Sequence, residues 1–169
     1  MKTILLALCL LACAAAGDEG KKQGKHPDLS GTWTLDRGKS DFGVFWDRPL
    51  AKTDVTLVVV HDEPELKVTR TLRLDGREET KELVYYTDGR GESNPAAIGG
   101  GTAHSKTGWE RDSIVARAKL SRPGAQGRVE VELTETWRKS GDGKSLTHTA
   151  VMKGEFGEEE VRLVYRRAG

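Results

Sequence analysis

The chain has 169 residues, enough for one domain of ordinary size. Lys and Arg number 27 against 26 Asp and Glu, a net charge of +1, which excludes the overall basic field that a nucleic-acid binder sets against phosphates. The two cysteines, Cys9 and Cys13, both sit near the N-terminus, so the remainder holds no disulfide, thiol nucleophile or cysteine-based zinc site.

Lys2 followed by the apolar run Ile4 to Ala16 has the layout of a secretory signal peptide over residues 1–16. The run is too short to cross a bilayer as a mature helix, and no later segment suggests a membrane span. Two processing readings stand. Ala14-Ala15-Ala16 before Gly17 suits an ordinary signal peptidase, and Leu10-Leu11-Ala12-Cys13 reads as a lipobox that would anchor the chain by lipid on Cys13. Either one predicts an exported protein, periplasmic or secreted, free or membrane-anchored. Residues 17–28 are polar without apolar periodicity and read as a flexible tether.

From Leu29 to Gly169 the dominant signal is period two, in short runs separated by Gly, Pro, Asp and Asn. Strands are predicted at Gly31–Asp36, Asp54–His61, Leu66–Asp75, Glu79–Thr87, Thr102–Glu110, Ser113–Ser121, Arg128–Lys139, Ser145–Lys153 and Glu159–Arg167. Arg37–Leu50 is a longer connection holding Phe42, Phe45 and Trp46, with room for one helical turn near its start. Glu92–Gly101 reads as a loop, from Asn94-Pro95 and the three consecutive glycines, and Arg122–Gly127 as another. Short strands and short turns without long crossovers predict an all-β domain, a single antiparallel up-and-down barrel of eight to nine strands. Closure removes both exposed edges.

Alternation assigns the faces. Leu66, Val68, Arg70, Leu72 and Leu74 share one side of their strand, against Lys67, Thr69, Thr71 and Arg73. Val129, Val131, Leu133, Glu135 and Trp137 likewise oppose Arg128, Glu130, Glu132, Thr134 and Thr136. Ile114, Ala116, Ala118 and Leu120 complete the pattern.

Gly31-Thr32-Trp33 on the first strand, inside Asp28–Leu35, resembles the start of the lipocalin and calycin group of barrels. Lys39–Gly43, Tyr86–Gly89, Ser105-Lys106 with Trp109, Glu135–Trp137 and Asp142–Thr147 follow in an order similar to that of small bacterial exported proteins with a lipocalin-like fold. The resemblance implies a barrel with Trp33 packed at its closed end under a basic residue of the last strand, Arg166 or Arg167.

Arg70 and Glu135 are the informative polar residues, each mid-strand on an apolar face. An unpaired buried charge is costly, so they are expected either to pair with each other or to anchor the head of a ligand. His148 and Tyr85 are further candidate ligand contacts; Tyr85 and Tyr86 are adjacent, so one of the two faces inward. His61, His104 and His148 are not spaced as a metal motif, and no metal site is predicted. No nucleophile elbow, phosphate loop or catalytic constellation is visible, so no cofactor is expected and the chain does not read as an enzyme. The expected role is an exported binding barrel for a small apolar or amphipathic molecule. The alternative is a structural or interaction protein of the envelope, with its barrel filled by side chains.

Overall fold

The computed structural model describes residues 26–43, 52–95, 102–124, 127–155 and 157–169. The predicted leader, its Cys13, most of the tether, and Phe45 and Trp46 lie outside these residues. The strands are β1 (Gly31–Leu35), β2 (Asp54–Asp62), β3 (Glu65–Leu74), β4 (Arg77–Tyr86), β5 (Glu92–Pro95), β6 (Thr102–Glu110), β7 (Ser113–Gly124), β8 (Gly127–Lys139), β9 (Ser145–Gly154) and β10 (Gly157–Arg167). A 3-10 turn at Arg37–Lys39 follows β1. No helix among the described residues is long and apolar enough to cross a membrane.

The ten strands among the described residues form one antiparallel sheet in the order β4-β3-β2-β1-β10-β9-β8-β7-β6-β5. The chain meanders, and β1 pairs with β10, Trp33 opposite Arg167, so the sheet curls back on itself. The expected count of eight to nine strands is corrected to ten by β5, which the sequence reads as loop. Asn94-Pro95 looks like a turn, yet proline is tolerated at a strand's edge, where no ladder donor is needed. Here β5 pairs with β6 only. The expected loop from Arg122 is likewise strand as far as Gly124, where β7 still pairs with β8.

Between β4 and β5 side chains replace the backbone ladder. Val84 N donates to Asn94 Oδ1 at 2.7 Å, and Asn94 Nδ2 donates to Val84 O at 2.8 Å. The buried Asn94 amide thus stands in for a strand residue. Glu92 extends the seam: Tyr86 N donates to its Oε2, while Ser105 and Thr107 hydroxyls donate to its Oε1 at 2.5 and 2.6 Å. Asn94→Leu keeps the volume but strands both Val84 groups, at a cost on the order of 2 kcal/mol. Urea unfolding should show that loss, with faster amide exchange at Val84 than at Leu83; unchanged exchange would show that the seam does not hold the barrel edge.

Turns alternate between two ends. The β3–β4 hairpin turns at Asp75-Gly76, both with positive φ (49° and 75°), the backbone demanded by a two-residue turn. At the other end Trp33 is fully buried, with Leu29, Leu57, Leu66 and Tyr165 in the same cluster. Its Nε1 donates to Leu29 O at 3.2 Å, and the Arg167 guanidinium lies 5.3 Å from the ring centre. This is the basic cover that the resemblance implies, and Arg167 rather than Arg166 supplies it. The Gly of Gly-x-Trp follows from the same contact. At Gly31, φ is +144°, and a Cβ would sit 3.2 Å from Arg167 Nη2 and 3.5 Å from Trp33 Nε1.

Candidate functional site

Inward-facing residues leave a cavity of about 240 Å³ away from the Trp33 end. Val55, Leu72, Leu120, Met152, Val161 and Leu163 supply apolar wall. Arg70 on β3, Glu135 on β8, His148 on β9 and Tyr165 on β10 supply the polar atoms, with Lys81 of β4 level with Arg70 and Glu79 nearer the β3–β4 turn. Each is inward because it stands in phase with buried apolar neighbours of its strand: Arg70 with Val68, Glu135 with Leu133 and Trp137, His148 with Leu146. Tyr85 lies on the far side, lining a void of about 20 Å³ that Arg70 and Glu135 also border.

The four residues singled out from sequence, Arg70, Glu135, His148 and Tyr85, therefore come together. Their pairing differs from the expected one. Glu135 Oε1 is 3.1 Å from His148 Nε2, and Tyr85 Oη donates to Glu135 Oε2 at 3.2 Å. With the carboxylate ionised, the His148 ring nitrogen is the donor. His148 stacks on Trp137 at 3.9 Å with 14° between planes, and Tyr85 tilts against the same indole at 6.2 Å. The trio is clamped from three strands.

Arg70 is left out. No carboxylate among the described residues lies within ion-pair distance of it, and its Nε is buried without a hydrogen-bond partner. Of the two readings the sequence leaves open for Arg70 and Glu135, a mutual ion pair is not formed among the described residues. Adjacent strands β8 and β9 bring His148 to Glu135, while Arg70 belongs to β3 and acts on the carboxylate only through its charge. The indole Nε1 of Trp137 is also buried without a partner.

Electrostatics follow the geometry. Burial raises the Glu135 carboxyl, but the His148 hydrogen bond and charge, the Tyr85 hydroxyl and the charge of Arg70 outweigh it, so the group lies below the usual carboxylate range. Burial first, then the Glu135 charge and hydrogen bond, push the Tyr85 phenol well above its ordinary value. Burial likewise raises Tyr165, with Arg70 opposing.

No family model matches the chain, and no curated protein matches it. Solved structures do. The REP1-NXSQ fatty acid transporter superposes with a TM-score of 0.55 at 10% identity, over 83% of this chain and 96% of its own. Zebrafish ileal bile-acid-binding protein complexed with cholic acid gives 0.54 at 13% identity, over 83% of this chain and 98% of its own. Human cRBP IV gives 0.53 at 19% identity, over 84% and 99%.

The fold is the antiparallel up-and-down barrel of these structures. Identities this low carry the likeness no further than architecture.

Within this barrel the remaining histidines lie apart from the cavity. The half-buried His61 accepts from Leu29 N through Nδ1 at 3.2 Å and meets Glu63 through Nε2 at 3.0 Å. His104 is exposed and hydrogen-bonds Ser93 Oγ at 2.8 Å. Among the described residues no three His, Cys, Asp or Glu side chains gather as metal ligands. Tyr86, unlike Tyr85, faces outward under Arg90. Trp109 packs at the closed end, stacked on His26 at 4.1 Å and donating to Glu63 Oε1 at 2.6 Å. Tyr165 escapes a reading that ranks polar residues by charge. Its phase with Val161 and Leu163 on β10 is the signal that places it inward.

Proposed function

We propose that this protein is a binding barrel for a small amphipathic molecule, its tail in the apolar cavity and its polar head at Arg70. The observation that carries the reading is the Arg70 guanidinium, a cavity-lining cation whose Nε is buried without a partner. Such a group is costly alone and is expected to find its counterpart in a ligand. His148, Glu135 and Tyr165 line the same cavity and offer further polar contact. Tyr85 acts one step back, holding Glu135. Structural neighbours such as a fatty acid transporter and a bile-acid-binding protein support an apolar ligand in a barrel of this architecture.

The leader-like N-terminus supports export, to the periplasm or beyond, either free or held by lipid on Cys13. Native mass spectrometry of the protein purified from its own host tests the binding role. A bound small molecule is expected on the wild type and lost in Arg70→Met. An empty barrel in both would instead favour the filled, structural alternative, which the bulk of Trp33, Trp137, Tyr85 and Tyr165 in the interior supports. The same spectrum reads any lipid on Cys13 and the number of subunits.

A further inference from the structure

Residues His26–Ser30 lead into β1 across the closed end of the barrel. Leu29 of this segment is fully buried, and its carbonyl accepts the Trp33 indole N–H at 3.2 Å, so it plugs that end. One ring of β2 holds the plug. His61 Nδ1 accepts the Leu29 N–H at 3.2 Å, which leaves the ring's single proton on Nε2, donated to Glu63 Oε1 at 3.0 Å. The His61 backbone N–H adds a bond to Ser30 Oγ at 3.0 Å. The His61 side chain is only 4% exposed, so water does not readily replace either ring partner.

The ring cannot take a second proton and keep the Leu29 amide, because two donors would then face each other. Its surroundings nevertheless favour that proton. Asp28 Oδ1 lies 3.9 Å from Nδ1, and Glu63 already touches Nε2. Both carboxyls sit below their usual range. Hydrogen bonds from Ser30 hold Asp28 there, and at Glu63 the bonds of Thr87, Trp109 and His61 outweigh burial. The cations stand further back. Lys139 donates to Asp28 O, Arg167 Nη2 is 3.4 Å from Ser30 O, and His26 stacks on Trp109, whose ring centre is 5.8 Å from that of His61.

We propose that His61 is an acid-sensitive latch: a second proton moves Nδ1 from the Leu29 amide to the Asp28 carboxylate and frees His26–Ser30 from the closed end. The latch lies at the end away from the cavity and does not depend on what the barrel binds. Proton uptake and release of the segment are linked, so the released fraction grows by up to about tenfold per pH unit while His61 charges. In acid the tether gains residues 26–30, and Trp109 loses the His26 ring stacked on it.

Amide hydrogen exchange by NMR on the purified protein tests the latch, with the histidine ring signals followed in the same samples. Between pH 7.5 and pH 5 the protection factor of the Leu29 amide is expected to fall on the order of tenfold or more, in step with the charging of His61. That of Val68, inside the β2–β3–β4 ladder, should hold. His61→Asn keeps an acceptor near the Nδ1 position and takes up no proton, so its Leu29 protection should be equal at both pH values. His26→Phe keeps a ring against Trp109 without a titrating group and should follow the wild type. Melting curves confirm that both variants are folded, and the wild-type profile set against the His61 ring signals stands without them. Steady Leu29 protection in the wild type down to pH 5 overturns the proposal. So does a fall that survives His61→Asn, or one that vanishes in His26→Phe.

Discussion

Glu135→Leu is expected to destabilise the barrel by roughly 3–5 kcal/mol, the usual cost of removing the acceptor at the centre of a buried, hydrogen-bonded polar cluster. For a domain of this size that lowers the melting temperature by about 10 °C. The loss arises from what is left behind. His148 Nε2 and the Tyr85 hydroxyl both face Glu135, and both side chains are locked against Trp137, so neither turns to water easily. Adding His148→Leu and Tyr85→Phe to Glu135→Leu should recover much of the loss, because apolar replacement of a whole polar cluster is nearly neutral. Arg70→Met should behave oppositely. It removes a charge that makes no ion pair among the described residues and keeps an apolar stem of similar reach. Its melting temperature is expected to equal or exceed that of the wild type. Thermal melts of these three variants and of the Arg70→Met, Glu135→Leu double variant decide the matter. Equal losses for Arg70→Met and Glu135→Leu, with mutual rescue in the double variant, would restore the direct pairing expected from sequence.

That contrast marks where the sequence stops being legible. Alternation alone places Arg70 and Glu135 inward, because each sits two residues from a buried Val68 or Leu133 on its own strand. It also finds strand boundaries well; Thr102–Glu110 is predicted and observed with the same ends. Pairing across the barrel is a different quantity. It depends on register and closure, which bring His148 beside Glu135 from the adjacent β9 and Tyr85 from the distant β4. Neither relation leaves a trace in local spacing. The missed strand β5 has the same cause. Asn94-Pro95 carries a turn's composition, and only the tertiary position of Val84 reveals that the Asn94 amide completes a seam. Tyr165 does leave a local signal, since the period of β10 that buries Val161 and Leu163 also buries it.

Alkali is expected to unfold the protein through the same interior. Tyr85 and Tyr165 are both buried, and burial raises both phenols above their ordinary value of 10.0. A group whose folded value is raised contributes stability that is fully present below the unfolded value and is lost as pH climbs toward the folded one. Above about pH 10 the unfolded chain therefore releases two protons that the folded chain keeps. Each costs about 1.4 kcal/mol of stability per pH unit, so the pair costs about 3 kcal/mol per unit. Lysines and arginines titrate in the same range, so the measurement is the difference between variants. Urea midpoints from pH 8 to 11.5 should fall less steeply for Tyr165→Phe than for the wild type. Tyr165→Phe sets a clean reference, because no hydrogen bond of the Tyr165 hydroxyl is found among the described residues. Tyr85→Phe should flatten the profile equally but start lower, having lost the contact to Glu135. Parallel profiles for the wild type and both variants would mean that the two phenols reach solvent in the folded barrel. The cavity would then be wetter, and its grip on an apolar tail weaker, than the packing around Trp137 implies.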